Sequence, residues 1–112
     1  MSEAPDAPFF LARSLGGAVE TPEQGAASAK VYDGPDLTLV VLALAPGAEL
    51  GEHTSRRPVA LYVFEGAGRA SVGEAEVGLL PGTWLRVEPG AVHAVKATSA
   101  MKLALMLVKA QG

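Results

Sequence analysis

Glycine and proline recur at short intervals along the chain, and this rhythm restricts the folds that the sequence can adopt. The 112 residues include 13 glycines and 8 prolines, which separate short apolar segments. Units of about eight to twelve residues with turn residues at their boundaries are typical of β-sandwiches and β-barrels. No segment of helical length keeps a convincing helical period. The sequence therefore predicts an all-β protein with a sandwich or barrel architecture.

Extended segments follow one another from residue 30 to the C-terminus. The segments GRASVG and EAEVGLLPG (residues 68–82) predict a hairpin, because turn residues separate them. The last segment, MKLALMLVKA (residues 101–110), is rich in helix formers. Its fully apolar centre, and its place after eight strand-like units, nevertheless favour a buried strand.

The chain is short enough to form one domain. We expect an N-terminal arm and loop over residues 1–29 and a barrel domain over residues 30–112. Within the first part, residues 1–8 are expected to be a loose tail. Residues 9–15 (FFLARSL) predict a first strand or a short docking arm, and residues 20–29 predict a loop.

Composition excludes several classes of function. The net charge is -3 and the only adjacent basic pair is Arg56-Arg57, which argues against nucleic-acid binding. There is no cysteine, so neither a disulfide framework nor a thiolate site can form. The acidic start lacks a signal peptide, and the longest apolar run (residues 37–45) is about half of a membrane span. We therefore expect a soluble, cytoplasmic protein.

The chain has two histidines, each in a strand-like segment. Because side chains alternate across a strand, His53 is expected to share a face with Gly51 and Ser55. By the same parity Glu49 lies on the face of His53 but ~13 Å away along an extended strand, whereas Glu52 points to the opposite face. No nearby carboxylate is therefore expected beside the imidazole of His53.

Three aromatic residues are expected on a second apolar face of the sheet. In VALYVFEG, Val59, Leu61 and Val63 share one face, so Tyr62 and Phe64 lie on the other. Trp84 has the parity to join them, and the three rings would form a large exposed apolar patch. A homodimer is the simplest cover for this patch. The alternative is that the arm FFLARSL packs over it.

The first histidine segment resembles the first motif of the cupin superfamily, a family of jelly rolls. That motif runs G, five residues, H-x-H, three or four residues, E, six residues, G. Gly47, His53 and Gly66 stand at the matching positions of this chain. The resemblance implies a double-stranded β-helix of the small single-domain, RmlC-like type.

The second histidine segment resembles the second cupin motif, which runs G, five residues, P-x-G, two residues, H, three residues, N. Gly82, Gly90 and His93 match, and Pro89 stands one place later than the family's proline. The 15 residues between the two motifs suit the short loop of small bacterial cupins. Together the two segments place the resemblance over residues 37–108.

The departures from the motifs concern the metal ligands. A metal-binding cupin supplies two histidines and a glutamate from the first motif and one histidine from the second. Here Ser55 stands at the second histidine position, Val59 at the glutamate position, and Ala97 at the asparagine that closes the second motif. The resemblance thus leaves only His53 and His93 as ligands, which is few for a divalent ion.

The motif positions therefore favour a binding module for a small, largely apolar molecule, although they leave open whether the protein is an enzyme. The alternative is a metal-dependent dioxygenase or sugar isomerase that holds Zn, Ni, Fe or Mn through His53 and His93. A third hypothesis is metal-free acid–base catalysis with His93 as the base. Tyr62 is close by motif position but has the wrong parity to point inward. The predicted ligand-binding residues are His53, Ser55, Val59, Leu61, His93 and Ala97.

Overall fold

The structure is a computed structural model that describes residues 8–109. The described chain begins with an arm that contains one short 3-10 turn, Leu15–Gly17. All of the longer elements are strands, as the turn rhythm predicts. In chain order they are β1 (Ala26–Asp33), β2 (Leu37–Leu44), β3 (Glu49–His53), β4 (Val59–Glu65), β5 (Gly68–Val72), β6 (Ala75–Leu79), β7 (Trp84–Val87), β8 (His93–Ala97) and β9 (Met101–Val108).

The strands form two antiparallel sheets that pack face to face. The first sheet has five strands in the order β1-β2-β9-β4-β7, and the second has four in the order β3-β8-β5-β6. Neighbours in both sheets are mostly distant in sequence, as the long connections of a jelly roll require. This topology confirms the predicted all-β jelly roll, and β5 and β6 form the predicted hairpin. The described residues include no helix with the length and hydropathy needed to cross a bilayer.

The last segment is a central strand and not a helix. β9 pairs with β2 along its whole length, from Leu37 opposite Val108 to Leu44 opposite Met101. On its other side it pairs with β4. Tertiary pairing on both edges outweighs the helix propensity of individual leucine and methionine residues.

The core lies between the inner faces of the two sheets. Leucine side chains of the first sheet meet small and apolar side chains of the second, and each fully buried leucine contributes about 2 kcal/mol of hydrophobic free energy. The buried cluster consists of Leu42, Leu44, Leu61, Val63, Ala70, Leu79, Val95, Ala97, Met101 and Leu103. A packed interior of this kind gives the sheets a rigid relative position.

The outer faces of the two sheets differ in chemistry. Across the second sheet, Lys96 pairs with Glu49 at 3.8 Å and Arg69 with Glu76 at 2.7 Å, a pattern typical of a solvated face. The outer face of the first sheet is apolar, and Val41 and Ala43 are fully buried there. That sheet must therefore be covered by other parts of the protein.

The N-terminal arm covers one end of this apolar face. The Phe10 and Tyr32 rings lie 4.9 Å apart, and Lys102 of β9 donates a hydrogen bond to the carbonyl of Gly16. Residues 9–15 thus form a docking arm and not a strand. The predicted loop over residues 20–29 ends at Gly25, because β1 already pairs with β2 from Ala26. Residues 1–7 of the predicted tail lie outside the described residues.

Two rings of the predicted aromatic patch, those of Tyr62 and Trp84, are exposed, so the described arm leaves them uncovered. Tyr62 and Trp84 are register partners on β4 and β7, at the opposite end of the sheet from β1. Their side chains are 39% and 59% exposed. Phe64 packs beside Tyr62 with 5.6 Å between ring centroids. We call Tyr62, Phe64 and Trp84 the aromatic patch.

Candidate functional site

The structure brings the two histidines together as direct partners across strands β3 and β8. His53 is opposite His93 in the register, and their ring centroids are 4.1 Å apart with planes inclined by 65°. His93 is 7% exposed, whereas His53 at the end of its strand is exposed. The pair therefore has one imidazole at the surface and one in the interior.

A β-bulge in β3 sets which side chains share the face of the imidazoles. Leu50 is opposite Val95 and His53 is opposite His93, so β3 contains one more residue than β8 over this interval. Leu50 packs against the core on the same face as His53. The parity assigned to Glu49 from simple alternation is therefore wrong, because Glu49 pairs with the outward-facing Lys96.

Backbone carbonyls orient both rings. Nδ1 of His53 lies 2.9 Å from the carbonyl oxygen of Gly51, and Nδ1 of His93 lies 3.0 Å from that of Ala91. A carbonyl oxygen can only accept, so each Nδ1 must carry the hydrogen and donate it. In the neutral ring the other nitrogen, Nε2, then presents a lone pair. The two residues of the pair thus have the same tautomer for the same reason.

Nε2 of His93 is buried and has no hydrogen-bond partner among the described residues. A buried polar atom without a partner costs about 1–3 kcal/mol of stability. Native proteins retain few such atoms, and each one requires a physical explanation, of which a functional role is one. This nitrogen is the strongest indication in the described chain of a place where another molecule binds.

Ser55 lies in the segment between β3 and β4. No hydrogen bond among the described residues joins it to either imidazole. Its hydroxyl oxygen accepts a hydrogen bond from the backbone N–H of Arg57 at 3.1 Å. Its carbonyl accepts one from Gly90 at 2.8 Å, in the turn that leads to His93. Ser55 thus joins the segment before β4 to the turn before β8, and its place among the ligand-binding residues stays a prediction.

The other predicted site residues lie in apolar surroundings. Val59, at the position of the family's glutamate, is 4% exposed and has Val87 and Leu107 as register partners. Leu61 and Ala97 belong to the packed core cluster. Ala97 is four residues from His93 along β8, a distance of roughly 13 Å. The imidazoles adjoin this apolar interior through Leu50 and Val95, which are opposite each other on β3 and β8 and pack in or against the core cluster.

The donor set does not fit the metal centre of a metal-binding cupin. Among residues 8–109 no group of three or more histidine, cysteine, aspartate or glutamate side chains is placed to hold a metal ion. A catalytic zinc site normally has three protein ligands, and an open iron site needs two histidines and a carboxylate. The two imidazoles supply two neutral nitrogen atoms and no negative charge.

A model of the cupin domain matches residues 40–109, which is more than half of the chain. The protein belongs to the cupin family. In this cupin the segments that resemble the two family motifs lie on β3–β4 and on β7–β8, with one histidine in each. Comparison with curated protein sequences finds no match.

Solved structures support the same fold for this cupin. A conserved protein of unknown function from Streptococcus pyogenes, SPY1581, superposes with a TM-score of 0.84 at 21% identity, covering 100% of this chain and 98% of the other. An RmlC-like cupin from Desulfovibrio desulfuricans gives 0.80 at 22% identity, covering 89% and 97%. Salicylate 1,2-dioxygenase from Pseudoaminobacter salicylatoxidans gives 0.71 at 20% identity, covering 74% of this chain and 25% of the enzyme. At these identities the likeness concerns the fold alone.

The functional groups that sequence reasoning missed are the carbonyls of Gly51 and Ala91. Each lies two residues before a histidine, but any residue type supplies a carbonyl, so no letter of the sequence marks it. Simple alternation of side chains also gives no sign of the bulge in β3. Both the carbonyl partners and the bulge depend on how β3 and β8 pair, which the residue types do not specify.

Proposed function

We propose that this cupin is a binding module for a small, largely apolar molecule that carries a hydrogen-bond donor, such as a hydroxyl or an N–H group. The donor would bind to the lone pairs on Nε2 of His53 and His93. The observation that carries the proposal is the buried, partnerless Nε2 of His93. A ligand that supplies a hydrogen removes the penalty of that unpaired acceptor, so its binding gains free energy that the free protein lacks.

The surroundings of the pair support a ligand that is mostly apolar. Val59 replaces the family's carboxylate, and its register partners are also apolar. Concave sites commonly combine apolar walls with a few polar groups that orient the ligand. The imidazoles would orient one polar group while Val59 contacts the apolar body. In this proposal Leu61 and Ala97 are core residues that support the site from beneath.

One observation favours a second candidate, the metal-dependent cupin enzyme. A histidine that binds a metal through one ring nitrogen usually donates a hydrogen bond from the other ring nitrogen to a carbonyl or a carboxylate. Both imidazoles here donate such a bond from Nδ1 to a carbonyl. Zinc, nickel, iron or manganese would use the two Nε2 atoms. The missing third protein ligand weighs against this candidate, since the substrate would have to complete the coordination.

A ligand screen tests the first candidate. Untagged protein is heated with a panel of small metabolites, sorted into molecules with and without a donor group, and shifts in Tm report binding. We expect the shifts to come from molecules with a donor, and to disappear in both His53→Ala and His93→Ala. Hits that lack donors, or hits that survive both substitutions, would contradict the proposed role of the imidazoles.

We also infer that a second copy of the chain covers the aromatic patch. Tyr62 and Trp84 are exposed on β4 and on the edge strand β7. Exposed aromatic surface of this kind is typical of interfaces between subunits. The charged outer face of the second sheet offers no comparable surface. The homodimer thus stays a prediction, now with a defined face.

A further inference from the structure

A cleft separates the N-terminal arm from the edge strand β1, on the outer side of the first sheet. We call it the arm cleft, and it lies between residues 11–18 and residues 29–31. Its volume is about 690 Å³, within the range of pockets that hold small molecules. None of its lining residues belongs to either cupin motif, so it is separate from the imidazole pair.

The lining of the arm cleft combines an apolar wall with positive charge. Leu11, Leu15 and Val31 are the large apolar residues of the lining, and Arg13 and Lys30 are its charged residues. Among residues 8–109 no acidic side chain lines the cleft, although the whole chain has a net charge of -3. The charged side chains of this lining are both basic, which favours an anionic ligand over a cationic one.

The ammonium group of Lys30 can exchange its ion pair with Asp33 for one with a ligand. Its ion pair with Asp33 spans 3.6 Å, and its side chain is 61% exposed. Asp33 has a closer cation, because Lys109 donates a hydrogen bond to it at 2.6 Å. An exposed ion pair of this length contributes little stability. Lys30 can turn from Asp33 to a bound carboxylate without leaving Asp33 unpaired.

The arm holds an unusual backbone conformation where it borders the cleft. Ser14 has φ 56°, which makes it the one non-glycine residue with positive φ in the described chain. It precedes the 3-10 turn and accepts a hydrogen bond from Gly17, while Gly16 is held by Lys102 of β9. Such a conformation persists only where surrounding contacts impose it. The hydrogen bond from Lys102 thus anchors this part of the cleft wall to β9.

We propose that the arm cleft is a second binding site, which accepts a small monocarboxylate with an apolar body. The apolar chain or ring lies against Leu11, Leu15 and Val31, and the carboxylate meets the ammonium group of Lys30. The site is independent of the proposed role of the imidazole pair. The two sites differ in chemistry, since one offers lone pairs and the other offers positive charge.

Titration calorimetry with octanoate, and with the uncharged octanamide, tests the proposal on the full chain. The key variant is Lys30→Glu, and its matched control is Lys96→Glu on the opposite sheet, where the side chain is 59% exposed and also ion-paired. We expect Lys30→Glu to weaken octanoate binding about fivefold, as loss of one exposed charge contact allows, and to leave octanamide unaffected. Lys96→Glu should bind octanoate as the unmodified protein does. Equal effects of the two variants, or no octanoate binding to the unmodified protein, would overturn the proposal.

A second pair of variants tests the location. Ala29→Phe fills the cleft from β1, whereas Ala27→Phe adds the same bulk on the same strand outside the lining. We expect octanoate binding to be lost in the first variant and kept in the second, with both folded by circular dichroism. His93→Leu should keep octanoate binding intact. If His93→Leu abolishes it instead, the ligand binds at the imidazole pair and the arm cleft is not a site.

Discussion

His53 and His93 are register partners across β3 and β8, and each donates its Nδ1 hydrogen to the carbonyl two residues before it. The consequence is a pair of Nε2 lone pairs in which the inner one is buried without a partner among the described residues. The strands thus hold an unsatisfied acceptor next to an apolar interior. Under the proposed function, a ligand that donates a hydrogen bond to Nε2 of His93 would gain the free energy of pairing this acceptor.

Replacing His93 by leucine is expected to stabilise the free protein or to leave its stability unchanged. The substitution removes an unpaired buried acceptor, worth about 1–3 kcal/mol, and loses one hydrogen bond to Ala91, worth about 1 kcal/mol. The free energy of unfolding should therefore rise by up to about 1–2 kcal/mol in urea titrations. The same variant should lose the ligand-dependent Tm shifts. A loss of stability above about 2 kcal/mol would show that His93 is a structural residue.

The folding stability of the protein should depend on pH in the acid range because of Asp33. The hydrogen bond from Lys109, together with that from Thr38, lowers the pKa of Asp33 from 3.8 to about 2. A carboxylate with a depressed pKa contributes stability above its unfolded pKa, and the contribution is lost as pH falls towards the folded pKa. Stability should thus decrease as pH falls from about 4 to about 2.

The asparagine variant of Asp33 isolates this contribution. Asp33→Asn should flatten the dependence of the unfolding midpoint on pH in the acid range, whereas Asp36→Asn in the same turn should leave the dependence in place. The measurement is a series of urea or thermal melts between neutral and acid pH. An unchanged slope in Asp33→Asn would contradict the role of the Lys109 contact.

The turn before β5 should tolerate no side chain at Gly66. Its φ is +84°, and a Cβ there would overlap the carbonyl oxygen of Ala100 and the backbone of Met101. Gly66→Ala should destabilise the protein by about 2–4 kcal/mol, from left-handed strain and steric overlap together. Gly82 has φ +90°, and a Cβ at that position would have no neighbouring atom within 4 Å, so Gly82→Ala reports the strain alone, about 1 kcal/mol. Equal losses in the two variants would contradict the overlap.

The aromatic patch should control the oligomeric state. Trp84→Lys places a charge on the proposed interface, and light scattering after size exclusion should show a monomer where the unmodified protein is a dimer. Val92→Lys is the matched control, since Val92 is 43% exposed outside the patch. Trp84 is the single tryptophan, so its emission in the unmodified protein should also shift to the red when dilution dissociates the dimer. A monomeric unmodified protein would contradict the predicted dimer.

Turn spacing and apolar pattern were sufficient to predict the strands, because glycine and proline mark the boundaries and the pairing partners are apolar. The nearness of His53 and His93 followed from the resemblance. Alternation failed at Leu50, where one extra residue in β3 reverses the faces that parity assigns to Glu49. Donation from His93 to Ala91 was also unpredictable, since a backbone acceptor leaves no trace in residue type. The hydrogen bond between Lys102 and Gly16 of the arm depends on tertiary geometry that no local sequence pattern predicts.

The measurement that tests the account most directly is the metal content of untagged protein, expressed in medium supplemented with zinc, nickel, iron and manganese. Two neutral nitrogen atoms without a carboxylate hold a divalent ion poorly, so we predict far less than one equivalent of any of these metals per chain. His93→Ala, measured in parallel, should give the same low value. A full equivalent of one metal in the unmodified protein, lost in His93→Ala, would contradict the account and establish the imidazole pair as a metal centre.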